Sequence, residues 1–228
     1  MNRLAPPPAS RALNETLSWI EFPRLMLRSP ELLSMPRGTG RRTLVFPGFG
    51  AGNGSTLVLR RYLTYLGHDV AGWELGVNGG DVLTTLRELV DHVRSQAQRS
   101  GAPVALVGWS LGGYLAREVA REVPDCVNRV ITLGSPVIGG PKYTQVASMF
   151  AARGEDLDLI ERLVAERERV PLSVPVTAIY SKFDGVVAWE ACIDAHSPHV
   201  EHVEVRTTHI GLGFSPDVYR LVAQRLQA

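Results

Sequence analysis

Residues 103–113, Pro103-Val104-Ala105-Leu106-Val107-Gly108-Trp109-Ser110-Leu111-Gly112-Gly113, pass from an apolar run through the pentapeptide G-x-S-x-G into a helix-like segment. The apolar run reads as a buried strand and the following segment as a helix, so Ser110 falls on the turn between them. A sharp strand-to-helix turn strains the backbone at its central residue and needs small residues two before and two after it. Gly108 and Gly112 meet that need, and Gly113 adds room. The turn lifts the hydroxyl out of the sheet, and the helix that follows aims its positive end at the same point. The pentapeptide by itself also fits an ordinary strand-to-helix turn, so a nucleophilic role for Ser110 depends on partners elsewhere in the chain.

The rest of the chain repeats this rhythm. From Arg42 onward short β-branched runs alternate with longer helical stretches, the mark of βαβ units and a parallel sheet. Strands are expected at Thr43–Phe46, Asp69–Trp73, Val104–Val107, Val130–Leu133, Val176–Tyr180 and Val203–Arg206. Helices are expected at Ser55–Leu66, Asp81–Arg99, Leu111–Val123 and Ser215–Gln227. In the second of these Val82, Leu86, Leu89, Val90 and Val93 share one face, Asp81 can cap the start and Gly101 marks the end. Pro216 suits the first turn of the last.

Two segments depart from the pattern. Residues 1–40 form an N-terminal arm whose first ten or so residues are proline-rich and expected to be disordered or loosely attached. From Arg11 to Met35 the arm carries scattered apolar residues broken by Pro23 and Pro30, which suits short helices docked on a domain spanning 41–228. Contact of this stretch with a lipid surface is the alternative use of the same residues. Between Pro141 and Pro175 the alternation lapses into a helical insert. Placed over the active edge of the sheet it would act as a lid and supply an apolar wall; placed at the periphery it would be decoration.

Composition limits the partners. The 228 residues are 45% hydrophobic and 21% charged, and 24 basic against 23 acidic residues leave a net charge of +1. That is a single soluble-type domain with no long-range field for nucleic acid or an anionic membrane. No leader-like apolar segment or membrane-spanning run appears, so a cytoplasmic location is expected. The two cysteines, Cys126 and Cys192, lie outside any metal spacing and read as reduced thiols. Oligomeric state is not legible.

A serine hydroxyl becomes nucleophilic when a base takes its proton, and the base works best when an acid fixes its tautomer. Of the six histidines, His68, His92, His196, His199 and His202 each read most simply as surface residues. His209 follows the last strand by the short Thr207-Thr208 loop, at the end of a parallel strand where ligand chemistry collects. The acid is expected at Asp184, in the loop Ser181-Lys182-Phe183-Asp184-Gly185 that leaves a buried strand. Asp-Gly is also a common turn signal, but the preceding strand is followed by Gly134-Ser135-Pro136, which has no carboxylate. The order Ser110, Asp184, His209 is that of one architecture among the serine hydrolases.

An oxyanion needs donors. One is expected from the backbone N–H of Leu111, and the second from Phe49 in the glycine-rich loop Pro47-Gly48-Phe49-Gly50-Ala51-Gly52-Asn53-Gly54-Ser55. That loop does not complete G-x-G-x-x-G, and the chain has no Walker Gly-Lys-Ser/Thr, so no nucleotide or other cofactor is expected. Trp109, Met149, Phe150, Val186 and Val187, together with Phe49, are candidates for an apolar acyl pocket.

In Phe46-Pro47-Gly48-Phe49, Gly108-Trp109-Ser110-Leu111-Gly112-Gly113, Leu133-Gly134-Ser135-Pro136, Asp184-Gly185-Val186-Val187 and His209-Ile210-Gly211-Leu212 the chain resembles the α/β-hydrolase superfamily. The likeness is closest to bacterial lipase- or esterase-like serine hydrolases with Pro-Gly-Phe at the oxyanion loop, and it runs from about Thr43 to the C-terminus. It implies an α/β fold with a mostly parallel sheet of about six strands and helices on both faces. It also implies that the first two family strands are missing, with the arm in their place, and a strand order of 4-3-5-6-7-8 in family numbering. The implied activity is cleavage of carboxylic esters of small molecules through an acyl-enzyme on Ser110. A thioesterase or acyltransferase with the same residues, or a non-catalytic binding protein of this fold, are the alternatives. The oxyanion loop lacks the family's histidine, and the insert is short for a lipase cap, which argues against a deep enclosed site.

Overall fold

In the computed structural model, which describes residues 4–227, the strands form one parallel sheet. They are β1 (Arg42–Phe46), β2 (Asp69–Gly72), β3 (Val104–Trp109), β4 (Val127–Leu133), β5 (Val176–Tyr180) and β6 (Val200–Glu204). Their order in space is β2-β1-β3-β4-β5-β6, the expected 4-3-5-6-7-8 in family numbering. Five of the six strands lie where the sequence pattern puts them, within a few residues. The sixth begins at Val200 and ends at Glu204, two residues before the expected end, because its pairing with β5 runs from Val176↔Val200 to Tyr180↔Glu204. The polar His199-Val200-Glu201-His202 stretch hid that start, since an edge strand need not be apolar on both faces.

Alternation along the strands divides the core between two faces. Val45 of β1, Ala105 and Val107 of β3 and Ile131 of β4 point to one side, where helices α4 (Leu57–Tyr65) and α9 (Pro216–Gln227) cover them with Leu59, Leu63, Val218 and Val222. Leu44, Phe46, Val104 and Leu106 point to the other, against Leu89 and Val93 of α5 (Val82–Ser100) and Leu115 and Val119 of α6 (Leu111–Glu122). Burial on both faces explains why the central strands read as continuous apolar runs. Asp81 caps α5 by accepting from the Thr84 N–H at 3.1 Å, and Gly101 ends it in the left-handed conformation at φ 67°. The helix expected from Ser55 begins as a tight turn at Asn53–Thr56 before α4 takes over.

In the described part of the arm lie three short helices, α1 (Ala9–Asn14), α2 (Glu21–Leu27) and α3 (Ser29–Leu33), with a tight helical turn at Glu15–Ile20. Among the described residues the arm adds no strand beside β2. Helices α2 and α3 lie on α9, and the Glu15–Ile20 turn lies on the Gly211–Gly213 turn beyond His209. Polar contacts hold it as much as apolar ones: Leu25 and Leu32 are buried, while Arg24 and Arg28 both reach Asp217 at the start of α9. Trp19, Leu27, Leu13 and Met26 remain largely exposed, so most of the arm's apolar residues do not find the covering surface their composition suggested. The described part of the proline-rich start is anchored rather than loose. Pro7 is buried, its carbonyl accepts from the Gln145 side chain, and α1 begins at Ala9. Residues 1–3, which belong to the same expectation, lie outside the described residues.

Within the insert, α7 (Ala147–Ala152) and α8 (Leu157–Glu168) stand between β4 and β5. A buried ionic cluster ties α8 to α6 and to the segment before β6. Arg117 donates to Glu168 at 2.9 Å and to Asp194 at 2.8 Å, and Arg121 donates to Glu168 at 2.6 Å. Burial pushes the Glu168 carboxyl up against the pull of both arginines; burial works the same way on Asp194, but Arg117 and two backbone N–H groups hold it well below the usual range. Among the described residues no helix is long and apolar enough to cross a membrane.

Candidate active site

Ser110 sits between β3 and α6 with φ 53° and ψ −123°, a positive φ that residues with a side chain seldom adopt. Its neighbours make the conformation possible. A Cβ on Gly112 would lie 2.5 Å from the carbonyl oxygens of both Phe46 and Pro47, and one on Gly108 would collide with the backbone of Gly112 and Gly113. The first turn of α6 therefore packs directly on the ends of β1 and β3. Its amide is anchored too, with the Ser110 N–H donating to the Leu133 carbonyl at 2.8 Å.

Asp184 and His209 meet over the next strand end. Asp184 Oδ1 accepts from the backbone N–H groups of Val186 (2.8 Å) and Val187 (2.7 Å), leaving Oδ2 to the His209 Nδ1 at 2.6 Å. Both side chains are buried. Gly134, at φ 57° past the end of β4, passes beneath the pair: a Cβ there would stand 3.0 Å from Asp184 Oδ2 and 3.1 Å from His209 Nδ1. On the other side the Trp109 indole N–H donates to the His209 carbonyl at 3.2 Å, with the rings 6.2 Å apart. Burial pushes the imidazole pKa down, but the Asp184 charge and hydrogen bond, with help from Glu15, outweigh it and leave His209 above its ordinary 6.5. Neither the Ser110 hydroxyl nor His209 Nε2 has a hydrogen bond among the described residues.

The glycine-rich loop comes up against the serine from β1. A Cβ on Gly48 would be 3.3 Å from the Ser110 Cβ, so the loop passes as close as a side-chain-free residue allows. The N–H groups of Phe49 and Leu111 find no acceptor among the described residues. Asn78 braces the loop. Its side chain donates to the Pro47 carbonyl at 3.0 Å, its carbonyl accepts from the Gly50 N–H at 2.8 Å, and its N–H donates to Ala51 at 2.8 Å. The sequence gives no sign of this role, since Asn-Gly-Gly reads only as a turn.

A cavity of about 470 Å³ opens at Ser110. Its walls are mostly apolar and include Phe49, Leu83, Tyr114, Phe150, Leu163 and Val164, so the insert supplies one side. The Phe49 and Phe150 rings lie 5.0 Å apart and tilted by 42°, and Arg153 lies over both while donating to the Gly79 carbonyl at 2.9 Å. Of the residues expected to form a pocket, Phe49 and Phe150 line this cavity and four do not. Trp109 turns toward His209 and Phe214, Met149 faces outward, and Val186 and Val187 serve the site through their backbone N–H groups on Asp184. The cavity stays partly open, in line with the short insert, and α5 and α6 add Leu83, Leu86 and Tyr114 to its walls.

One contributor comes from outside the expected segments. Glu15, in the arm, accepts the backbone N–H groups of Gly185 and His209 on Oε1, at 2.8 and 2.9 Å, and that of Ile210 on Oε2 at 2.8 Å. A lone glutamate in an irregular arm carries no sequence signal for such a contact.

The fold agrees with comparison to known proteins. Residues 12–225 match the model of the alpha/beta hydrolase family, and the chain belongs to that family. Its fold is similar to a Bacillus licheniformis lipase, BlEst2 in mature form, with a TM-score of 0.66 at 14% identity, covering 86% of this chain and 95% of that one. A structure of the metagenome-derived lipolytic enzymes LipS and LipT matches at a TM-score of 0.63 and 16% identity over 83% of this chain and 93% of that one. The thioesterase domain from the curacin biosynthetic pathway matches at 0.58 and 12% over 85% and 93%.

Proposed function

We propose that this chain hydrolyses carboxylic esters of apolar acyl groups through an acyl-enzyme on Ser110. The observation that carries the reading is the Asp184–His209 pair, 2.6 Å apart and buried beside a serine held at positive φ. In this reading Ser110 Oγ attacks the ester carbonyl while His209 Nε2 takes its proton. The N–H groups of Phe49 and Leu111 hold the oxyanion, aided by the positive end of α6. The imidazolium then returns the proton to the leaving alcohol. Water, deprotonated by the same nitrogen, attacks the acyl-serine, and the imidazolium returns that proton to Ser110 Oγ as the acid leaves.

The cavity supports an apolar acyl group. Its charged residues are largely committed elsewhere: Glu118 accepts from Arg121 at 3.2 Å and pairs with Arg167, which also donates to Glu122 at 2.7 Å. A volume of about 470 Å³ suits a medium chain. The exposed Leu13, Trp19, Met26 and Leu27 give the arm a surface suited to contact with lipid. Likeness to a thioesterase domain keeps thioester cleavage as the second reading, since the acyl-enzyme chemistry is shared. A series of p-nitrophenyl esters of graded chain length, run beside acyl-CoA thioesters, tests both. Ester turnover that rises from acetate to medium chains is expected; turnover confined to thioesters selects the second reading, and none on either refutes both.

A further inference from the structure

Glu15 is a carboxylate on the arm, 9% exposed, and it is bonded to three backbone N–H groups of the two loops that carry Asp184 and His209. One atom, Oε1, receives both Gly185 and His209, so the residue after the acid and the base itself share an acceptor. The arm fits closely enough to need Gly185. A Cβ there would strike the Arg11 carbonyl and lie 3.0 Å from Glu15 Oε1. Ionised carboxylates form the stronger class of such bonds, and an unpaired one would be costly at this burial.

We infer that Glu15 is a positioning residue of the reaction, fixing the acid and base loops at their working separation from the arm that precedes the sheet. The inference rests on the ester-hydrolase reading of Ser110, Asp184 and His209. Two effects follow from the geometry. Losing the shared acceptor lets the loops drift and lengthens the 2.6 Å Asp184–His209 bond. Losing the negative charge removes one of the two carboxylates that favour the imidazolium. Of the other charged groups of these segments, Glu21 is engaged with Arg24 and the Thr207 hydroxyl, Lys182 with Glu204, and Arg206 over the Phe183 ring, while Arg11 packs its backbone against Gly185.

Glu15→Gln separates positioning from support of the fold. The amide keeps an oxygen for Gly185 and His209 but loses the charge and turns a donor toward the Ile210 N–H. Expected are a fall in kcat on p-nitrophenyl butyrate of up to about a hundredfold, the cost of a ~1 Å misplacement, a KM within about twofold of the wild type, and an acid limb of kcat/KM moved to lower pH. A melting temperature that drops while kcat and the acid limb stay put overturns the inference and leaves Glu15 a structural tie. Should the glutamine variant not fold, Glu15→Asp decides: lowered kcat with an acid limb like the wild type supports positioning by a carboxylate, and unchanged kcat overturns it. Labelling of wild-type Ser110 by a fluorophosphonate keeps the two claims apart. An unlabelled wild type overturns the catalytic reading and this inference with it, whereas a labelled wild type with a fully active glutamine variant overturns only the role of Glu15.

Discussion

Asp184→Asn perturbs the site at a point where the structure dictates the outcome. Oδ1 is fixed by two donors, the N–H groups of Val186 and Val187 at 2.8 and 2.7 Å. An asparagine must keep its carbonyl oxygen there, because turning its NH₂ toward two N–H groups would set donors against donors in a buried place. The NH₂ therefore faces His209 Nδ1. That nitrogen becomes an acceptor, the proton moves to Nε2, and the imidazole can no longer take the Ser110 proton. The loss expected in kcat is about a thousand- to ten-thousandfold, the cost of holding a catalytic histidine in the wrong tautomer, or about 4–5 kcal/mol of transition-state stabilisation. The fold should survive, since every donor on Oδ1 keeps its acceptor. Steady-state hydrolysis of p-nitrophenyl butyrate measures the first quantity and thermal melting the second. A loss smaller than about tenfold in a folded variant, roughly 1.4 kcal/mol, would refute the reasoning that Asp184 sets the tautomer.

Other consequences follow from the same geometry. Gly112→Ala places a Cβ 2.5 Å from two carbonyl oxygens and should destabilise the chain by about 1–3 kcal/mol or more in urea unfolding, with activity lost even where folding persists; a variant of wild-type stability contradicts the close packing of α6 on β1. His209 must be neutral to act as base, and its pKa lies above 6.5, so kcat/KM should rise with pH through a limb above that value; a limb at or below 6.5 contradicts the net pull of Asp184 and Glu15. Arg117→Ala leaves Glu168 and Asp194 as buried carboxylates without this partner and should cost about 3–5 kcal/mol. Because Asp194 is held below its ordinary range, the stability it contributes in the wild type is present at neutral pH and is lost as pH falls through the acid range. A shallow, pH-independent loss in the variant would contradict that.

Much of this architecture is legible in the chain because its signals are local. Apolar runs of four to six residues gave the central strands, Asp81 and Gly101 bracketed α5, and the spacing of Gly108, Ser110 and Gly112 marked the turn whose positive φ the structure displays. Asp184 and His209 were legible from their place after strands, since parallel strands deliver their following loops to one edge. What escaped depends on contacts distant in sequence. Glu15 acts across 194 residues on His209, and no periodicity records such a pairing. The pocket failed for a related reason: Trp109, Val186 and Val187 were apolar and near the site in sequence, but side-chain direction rather than proximity decides what faces a cavity. Leu83 and Leu86, on the helix that precedes β3, face it instead.

The central claim is that Ser110 is a nucleophile activated by His209. Incubation of the folded chain with a tagged fluorophosphonate, followed by peptide mass spectrometry, measures it directly. Modification at Ser110, abolished in Ser110→Ala and slowed as pH falls below the His209 pKa, is the result expected. A folded chain that takes up no label at Ser110, or that labels at the same rate when His209 is replaced, would contradict it.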